Sequence, residues 1–262
     1  MPSPPILNAR YVSTAPSAQN ALDIFAGEWA SRFPPPYSNL VAGGIPLFED
    51  GRIAWAMEQL GGCQDQNVLE LGPLEAGHSY LLEAYHAAAV TAIEANTGAF
   101  LKCLIAKEIL GLKRVHFLCG DFIQYLEQNT GTFDLVLASG VLYHMQEPFT
   151  LLQLLAKRTN RTYIWTHYYD DKIIQSNPNL RPKFTKRVSS TAGGFPCTMY
   201  RQGYLNSLQT PGFCGGNAEF SYWLAREDIL KALAQYGFHD VRIAHEQPDH
   251  PHGPCFSLVA MK

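Results

Sequence analysis

The chain has 262 residues, 47% of them hydrophobic and 16% charged, which excludes a disordered polypeptide and predicts a packed core. The formal net charge of -3 argues against a broad basic face for nucleic acid, and no stretch is apolar for long enough to span a bilayer. Six scattered cysteines without a C-x-x-C pair read mostly as small buried hydrophobes in a reducing compartment, so a cytoplasmic protein is expected.

Residues 1–20 are rich in Pro, Ser and Ala and read as an arm; they do not have the basic-then-apolar order of a secretory leader. A helix is expected over Ala21–Phe33, broken by "FPPPYSNLVAGGIP". A second follows in "FEDGRIAWAMEQLGG", where Ile53, Met57 and Leu60 recur at helical spacing. From Asn67 the pattern changes. The runs "NVLELG", "VTAIEA", "VHFLCG", "FDLVLASG" and "TYIWTHYY" read as strands, separated by helices. One of these, "DFIQYLEQ", opens on Asp121 as N-cap, and another has Pro148 near its first position. Alternating strands and helices imply right-handed parallel units. Residues 170–222 then lose all periodicity, yet carry many aromatics, and are expected to form an ordered inserted lid. Alternation resumes with "REDILKALAQYGF", "VRIAHE", a polar hairpin "QPDHPHG" and a last strand "CFSLVAMK". The expected fold is a three-layer α/β/α sandwich on a mostly parallel seven-stranded sheet with an antiparallel last strand. Its parts are N-terminal arm and helices (1–64), cofactor-binding core (65–169), lid or substrate region (170–222) and the rest of the core (223–262).

Glu70 ends the first strand, Gly72 and Gly77 bound the loop after it, and Glu94, 24 residues on from Glu70, ends the second strand. Ligands of open α/β sheets bind at these carboxyl ends, and a carboxylate there accepts hydrogen bonds from ribose hydroxyls. A dinucleotide would require G-x-G-x-x-G. This loop, "GPLEAG", lacks the middle glycine and brings Glu75, whose charge would repel a pyrophosphate. An adenosine ligand without phosphates is the better expectation, and a nicotinamide-dependent oxidoreductase is disfavoured.

Four stretches, "LELGPLEAG", "AIEAN", "LCGDF" and "DLVLASGVLYHMQEP", together with the C-terminal "YGFHDVRIAHE" and "CFSLVAMK", make the chain resemble class I S-adenosylmethionine-dependent methyltransferases over residues 65–170 and 224–262. The loop departs from that family's E-x-G-x-G-x-G; it reads as one residue longer and poorer in glycine. The resemblance implies S-adenosylmethionine as cofactor. Glu70, Gly72 and Pro73 would face its methionine part and Glu94 its ribose. Ala95 and Asn96 would lie near the adenine, Asp121 would meet the adenine amino group and Phe122 would cover the ring. Ser139 and Gly140 would offer backbone atoms to the ammonium.

The D/N-P-P-Y of nucleobase amine methylases is replaced by "SGVLYH", which resembles small-molecule O-methyltransferases and, locally, enzymes that alkylate a wobble-uridine oxygen in tRNA. Methyl transfer to an oxygen of a small molecule is the expected activity; a tRNA-modifying transferase and a non-catalytic cofactor-binding module are the alternatives. His144 and His167, after the fourth and fifth strands, are candidate bases, and Tyr143 and Tyr168 candidate acceptor-pocket residues. Arg52 is a candidate for the cofactor carboxylate. The hairpin histidines read as a solvent-exposed turn far from the catalytic edge, with no metal site expected.

Overall fold

The computed structural model describes residues 11–210 and 212–262; the first ten residues of the expected arm lie outside the described residues. Strands β1 (Asn67–Leu71), β2 (Ala89–Glu94), β3 (Val115–Cys119), β4 (Leu135–Ser139) and β5 (Arg161–His167) form a parallel sheet in the order 3-2-1-4-5. Two further strands, β9 (Asp240–Gln247) and β10 (Cys255–Met261), complete seven. β10 lies between β5 and β9 and runs antiparallel to both. This is the sheet expected from the sequence.

Period-two alternation sends the strand side chains into two cores, one on each face. Leu69, Leu71, Val136 and Ala138 enter one core, and Val68, Leu135, Leu137 and Tyr163 the other. The intervening helices are α3 (Gly77–Ala84), α4 (Thr97–Leu110), α5 (Phe122–Gln128) and α6 (Pro148–Arg158), with α8 (Arg226–Gln235) before β9. Asn96 and Asp121 cap α4 and α5 by accepting the amides of Ala99 (2.9 Å) and Ile123 (2.7 Å). α2 (Gly51–Leu60) begins at an Asp50 cap and ends at Gly61, whose φ of 72° continues the chain where other residues would be strained.

The N-terminal helix is shorter than expected. α1 covers only Ala18–Leu22 and passes into a 3-10 turn, Asp23–Phe25. The reason is a competing acceptor. Glu75, fully buried, takes the amides of Ala30 (3.0 Å) and Ser31 (2.7 Å) and pairs with Lys102 at 2.8 Å. Residues 29–33 therefore stay extended, and Trp29 and Phe33 pack against Phe48.

The expected lid contains α7 (Asp171–Ser176) and a second, antiparallel sheet of β6 (Phe184–Ser190), β7 (Cys197–Gly203) and β8 (Phe220–Leu224). Met199 and Leu224 bury themselves in the main core, so this sheet shares it. The cysteines are all free; Cys63, Cys103 and Cys255 are buried, but Cys119 and Cys214 are exposed, contrary to the expectation of mostly buried thiols.

Candidate active site

A cavity of about 720 Å³ opens at the carboxyl ends of β1, β2, β4 and β5, the edge where open α/β sheets bind ligands. Its inner wall is the β1–α3 loop. The peptide bends at Gly72 (φ 66°), where a side chain would meet Val141 Cγ1 at 2.7 Å. Leu74 and Ala76 also take left-handed φ, 55° and 68°. They stand at the third and fourth conserved places of E-x-G-x-G-x-G counted from Glu70, so the loop keeps the family's length and bends without its glycines. Such a conformation costs an ordinary residue about 1–2 kcal/mol. Two acids oppose that cost. Glu94 accepts the Leu74 amide at 3.1 Å and the Asn96 amide at 2.9 Å, and Glu75 fixes the loop from behind. Glu75 therefore points away from the cavity, and the expectation that it would repel a phosphate there is corrected.

Of the residues expected around a cofactor, Gly72, Pro73, Glu94, Ala95, Asn96, Asp121, Phe122, Ser139 and Gly140 line this one cavity. Glu70 does not: it is 2% exposed and accepts the Ser79 hydroxyl inside the protein. Burial pushes the carboxyls of both Glu70 and Glu94 upward, with backbone amides partly opposing this at Glu94. Arg52 reaches the cavity from α2, with its guanidinium 4.7 Å from the Trp165 ring. Asp50 holds it there at 2.6 Å and also bonds His78 Nε2 at 2.9 Å. Burial alone would raise the Asp50 carboxyl, but its bonds to His78 and Arg52 outweigh burial and hold it well below the carboxylate range.

Tyr143 and His144 also line this cavity. His144 Nδ1 lies 2.8 Å from the hydroxyl of Tyr204, the residue that follows β7 of the second sheet. Burial, with His167 nearby, lowers the His144 pKa to about 3, so the ring is neutral. His167 and Tyr168 do not line the cavity. Alternation along β5 puts Trp165 on the cavity side and turns Tyr168 through to the opposite core, where its ring meets Phe256 at 5.5 Å. His167 is 4% exposed and stacks on Trp223, with ring centroids 5.0 Å apart. Its Nδ1 donates to the Gly253 carbonyl at 2.8 Å. The hairpin carrying Gly253 and His250 therefore packs against the end of β5, which corrects its expected place far from the catalytic edge.

The sequence reading missed the lining residues Trp165, His78 and, in the roof, Cys214, Gly216 and Asn217, and also Asp50, which holds Arg52 and His78. Trp165 had a signal, since it shares β5 parity with His167. The roof residues had none, being held by contacts between distant parts of the chain such as that across 117 positions from Asn96 Nδ2 to the Phe213 carbonyl (3.1 Å).

Fold and cavity define a doubly wound α/β protein with a ligand site at its topological switch point. Residues 69–160 match the family described as a methyltransferase domain. The N-terminal domain of EvdMO1, crystallised in the presence of SAH and D-fucose, has a similar structure. Its TM-score is 0.71 at 20% identity, over 93% of this chain and 94% of that one. Magnesium protoporphyrin IX methyltransferase from Synechocystis PCC 6803, with SAH bound, gives 0.53 at 18%, over 81% of each chain. An S-adenosylmethionine-dependent methyltransferase from Mesorhizobium loti gives 0.55 at 11%, over 82% of this chain and 100% of that one. No curated protein sequence matches. The chain thus has the fold of the class I S-adenosylmethionine-dependent methyltransferases and carries a match to a methyltransferase domain over residues 69–160. The cavity fits that cofactor: its volume suits a nucleoside-sized ligand beside a small partner, and its lining includes the Glu94 carboxylate and the Phe122 ring. Among the described residues no helix is long and apolar enough to cross a membrane.

Proposed function

We propose that the chain methylates a hydroxyl oxygen of a small molecule held between Tyr143, His144 and the roof residues 212–217. When bound, the cofactor supplies an electrophilic methyl group on a sulfonium. The protein supplies placement and exclusion of water. Glu94 would accept the ribose hydroxyls, Asp121 and Phe122 would hold the adenine, and Arg52 would face the methionine carboxylate.

The observation that carries the acceptor reading is the His144–Tyr204 pair. Both groups are neutral: burial lowers the imidazole to about 3 and raises the Tyr204 phenol to about 12. The phenol can give or take the shared proton. When His144 Nδ1 donates to Tyr204, Nε2 carries the lone pair that an acceptor hydroxyl needs as its hydrogen-bond partner. A carboxylate acceptor would find no free cation among the described groups at this end, since Arg52 pairs with Asp50 and is assigned here to the methionine carboxylate. The aromatic wall of Tyr143 and Trp165 suits the apolar face of a hydroxylated ring, and D-fucose, present with the EvdMO1 domain, is one such compound. The test is a panel of sugars, phenols and carboxylic acids incubated with the protein and S-adenosylmethionine. Methyl ethers among the products are expected; methyl esters alone would replace this reading with the carboxylate one.

A further inference from the structure

We infer that His167, His250 and Cys255 form a binding site for a borderline-soft transition metal of the zinc class. One ligand atom from each residue lies within 4.8 Å of the others. They come from three segments that the sheet brings together: the end of β5, the β9–β10 hairpin and the first residue of β10. His167 and Cys255 are direct cross-strand partners in the antiparallel β5–β10 pair, which places their side chains side by side. Two imidazoles and a thiolate are a donor set that favours zinc over magnesium or calcium.

Each ring keeps one nitrogen with a lone pair for a metal. His167 Nδ1 spends its proton on the Gly253 carbonyl at 2.8 Å, so its other nitrogen carries the lone pair. A backbone carbonyl on the far nitrogen is the usual orienting partner of a metal-bound histidine. His250 Nδ1 accepts the His252 amide at 3.2 Å, so its lone pair is on Nδ1, in a long bond that a metal would displace. Cys255 Sγ has weak partners, a 4.0 Å contact with the Gln247 side chain and the Trp165 indole. Metal binding expels the thiol proton, and the thiolate offsets one charge of the ion. Arg52, the cation facing this cluster, is already paired with Asp50.

The surroundings are dry and rigid. Trp223 stacks on His167, Trp165 lies 5.2 Å from the same ring, and Gly253 sits so close to Trp223 that a side chain there would meet it at 2.7 Å. Tetrahedral zinc places its ligand atoms about 3.3–3.6 Å apart. The hairpin, with His250 half-buried at its tip, must therefore close by about an ångström. The fourth position is left for water or for His252, whose ring is 5.5 Å from that of His250. His167 does not line the cofactor cavity, so the ion would act as a cross-strand staple behind Tyr143, whose ring is 4.6 Å from His167.

The test uses the full chain, stripped with a chelator and then titrated separately with zinc and with cobalt(II). One equivalent of zinc per chain and a thiolate-to-cobalt charge-transfer band are expected. Cys255→Ser should abolish the band, and His250→Ala should weaken zinc binding at least about tenfold. Circular dichroism reports whether the buried serine variant folds; His250→Ala, in a half-buried turn, carries the test if it does not. Absence of stoichiometric uptake would overturn the assignment. So would a band that survives in folded Cys255→Ser, or zinc affinity unchanged in His250→Ala.

Discussion

Glu94 shows how one side chain serves two purposes. Its oxygens already hold the amides of Leu74 and Asn96, on the two loops that form the inner wall of the cavity. Glu94→Ala therefore removes both the proposed ribose partner and the support of a loop bent through two left-handed non-glycine residues. Cofactor affinity should fall by about 1–3 kcal/mol in calorimetry with S-adenosylhomocysteine. An unchanged affinity in the folded variant would show that Glu94 does not meet the ribose. His144 carries the chemical expectation. His144→Ala should lower kcat by about 10²–10⁴-fold on a hydroxyl acceptor, and by little on a pre-ionised one. Tyr204→Phe tests the pair separately: it removes the hydroxyl partner of Nδ1 but leaves the ring in place, so a smaller loss in kcat with near-normal KM is expected.

At the scale of elements, the buried Glu75–Lys102 pair fastens the N-terminal segment to α4. Lys102→Met leaves a buried carboxylate with amide partners alone, and should cost about 3–5 kcal/mol in denaturant unfolding. The double change Glu75→Gln with Lys102→Met should cost less than the sum, because no unpaired charge remains. These elements also mark how far the sequence could be read. The five parallel strands were legible because burial on both faces makes continuous apolar runs such as "DLVLAS". β6–β8 were not: one face of that sheet is solvated, and Lys186, Arg187 and Ser189 on β6 break any apolar run. Glu70, Glu75 and Tyr168 were misplaced for a common reason. Each was assigned by its position at a strand end or loop, whereas side-chain direction depends on parity and on partners distant in the chain. For Glu75 those partners are Ala30, Ser31 and Lys102.

For the whole molecule, the neutral His144 makes stability depend on pH. Its pKa is about 3 in the folded protein, against about 6.5 in the unfolded chain. Between those values the unfolded state binds a proton that the folded state refuses. The contribution is thus fully present above pH ~6.5 and is lost as pH falls toward the folded value, by up to about 1.4 kcal/mol per pH unit. Urea unfolding at pH 7 and pH 5, compared between the wild type and His144→Gln, should show a smaller pH effect in the variant. Equal slopes would mean that the ring is not shielded.

The roof segment ties both ends of the cavity to one piece of chain. Tyr204 bonds His144 at the proposed acceptor end, Asn96 donates to the Phe213 carbonyl at the proposed cofactor end, and the Tyr204 and Phe213 rings meet at 5.0 Å. Any binding event that holds this segment at one end also holds it at the other. Thermodynamic reciprocity then fixes the outcome: cofactor and acceptor raise each other's affinity by the same factor. Calorimetry of S-adenosylhomocysteine with and without acceptor, and of acceptor with and without S-adenosylhomocysteine, should return one coupling constant. Asn96→Ala, which cuts the tie at the cofactor end, should bring that constant toward unity.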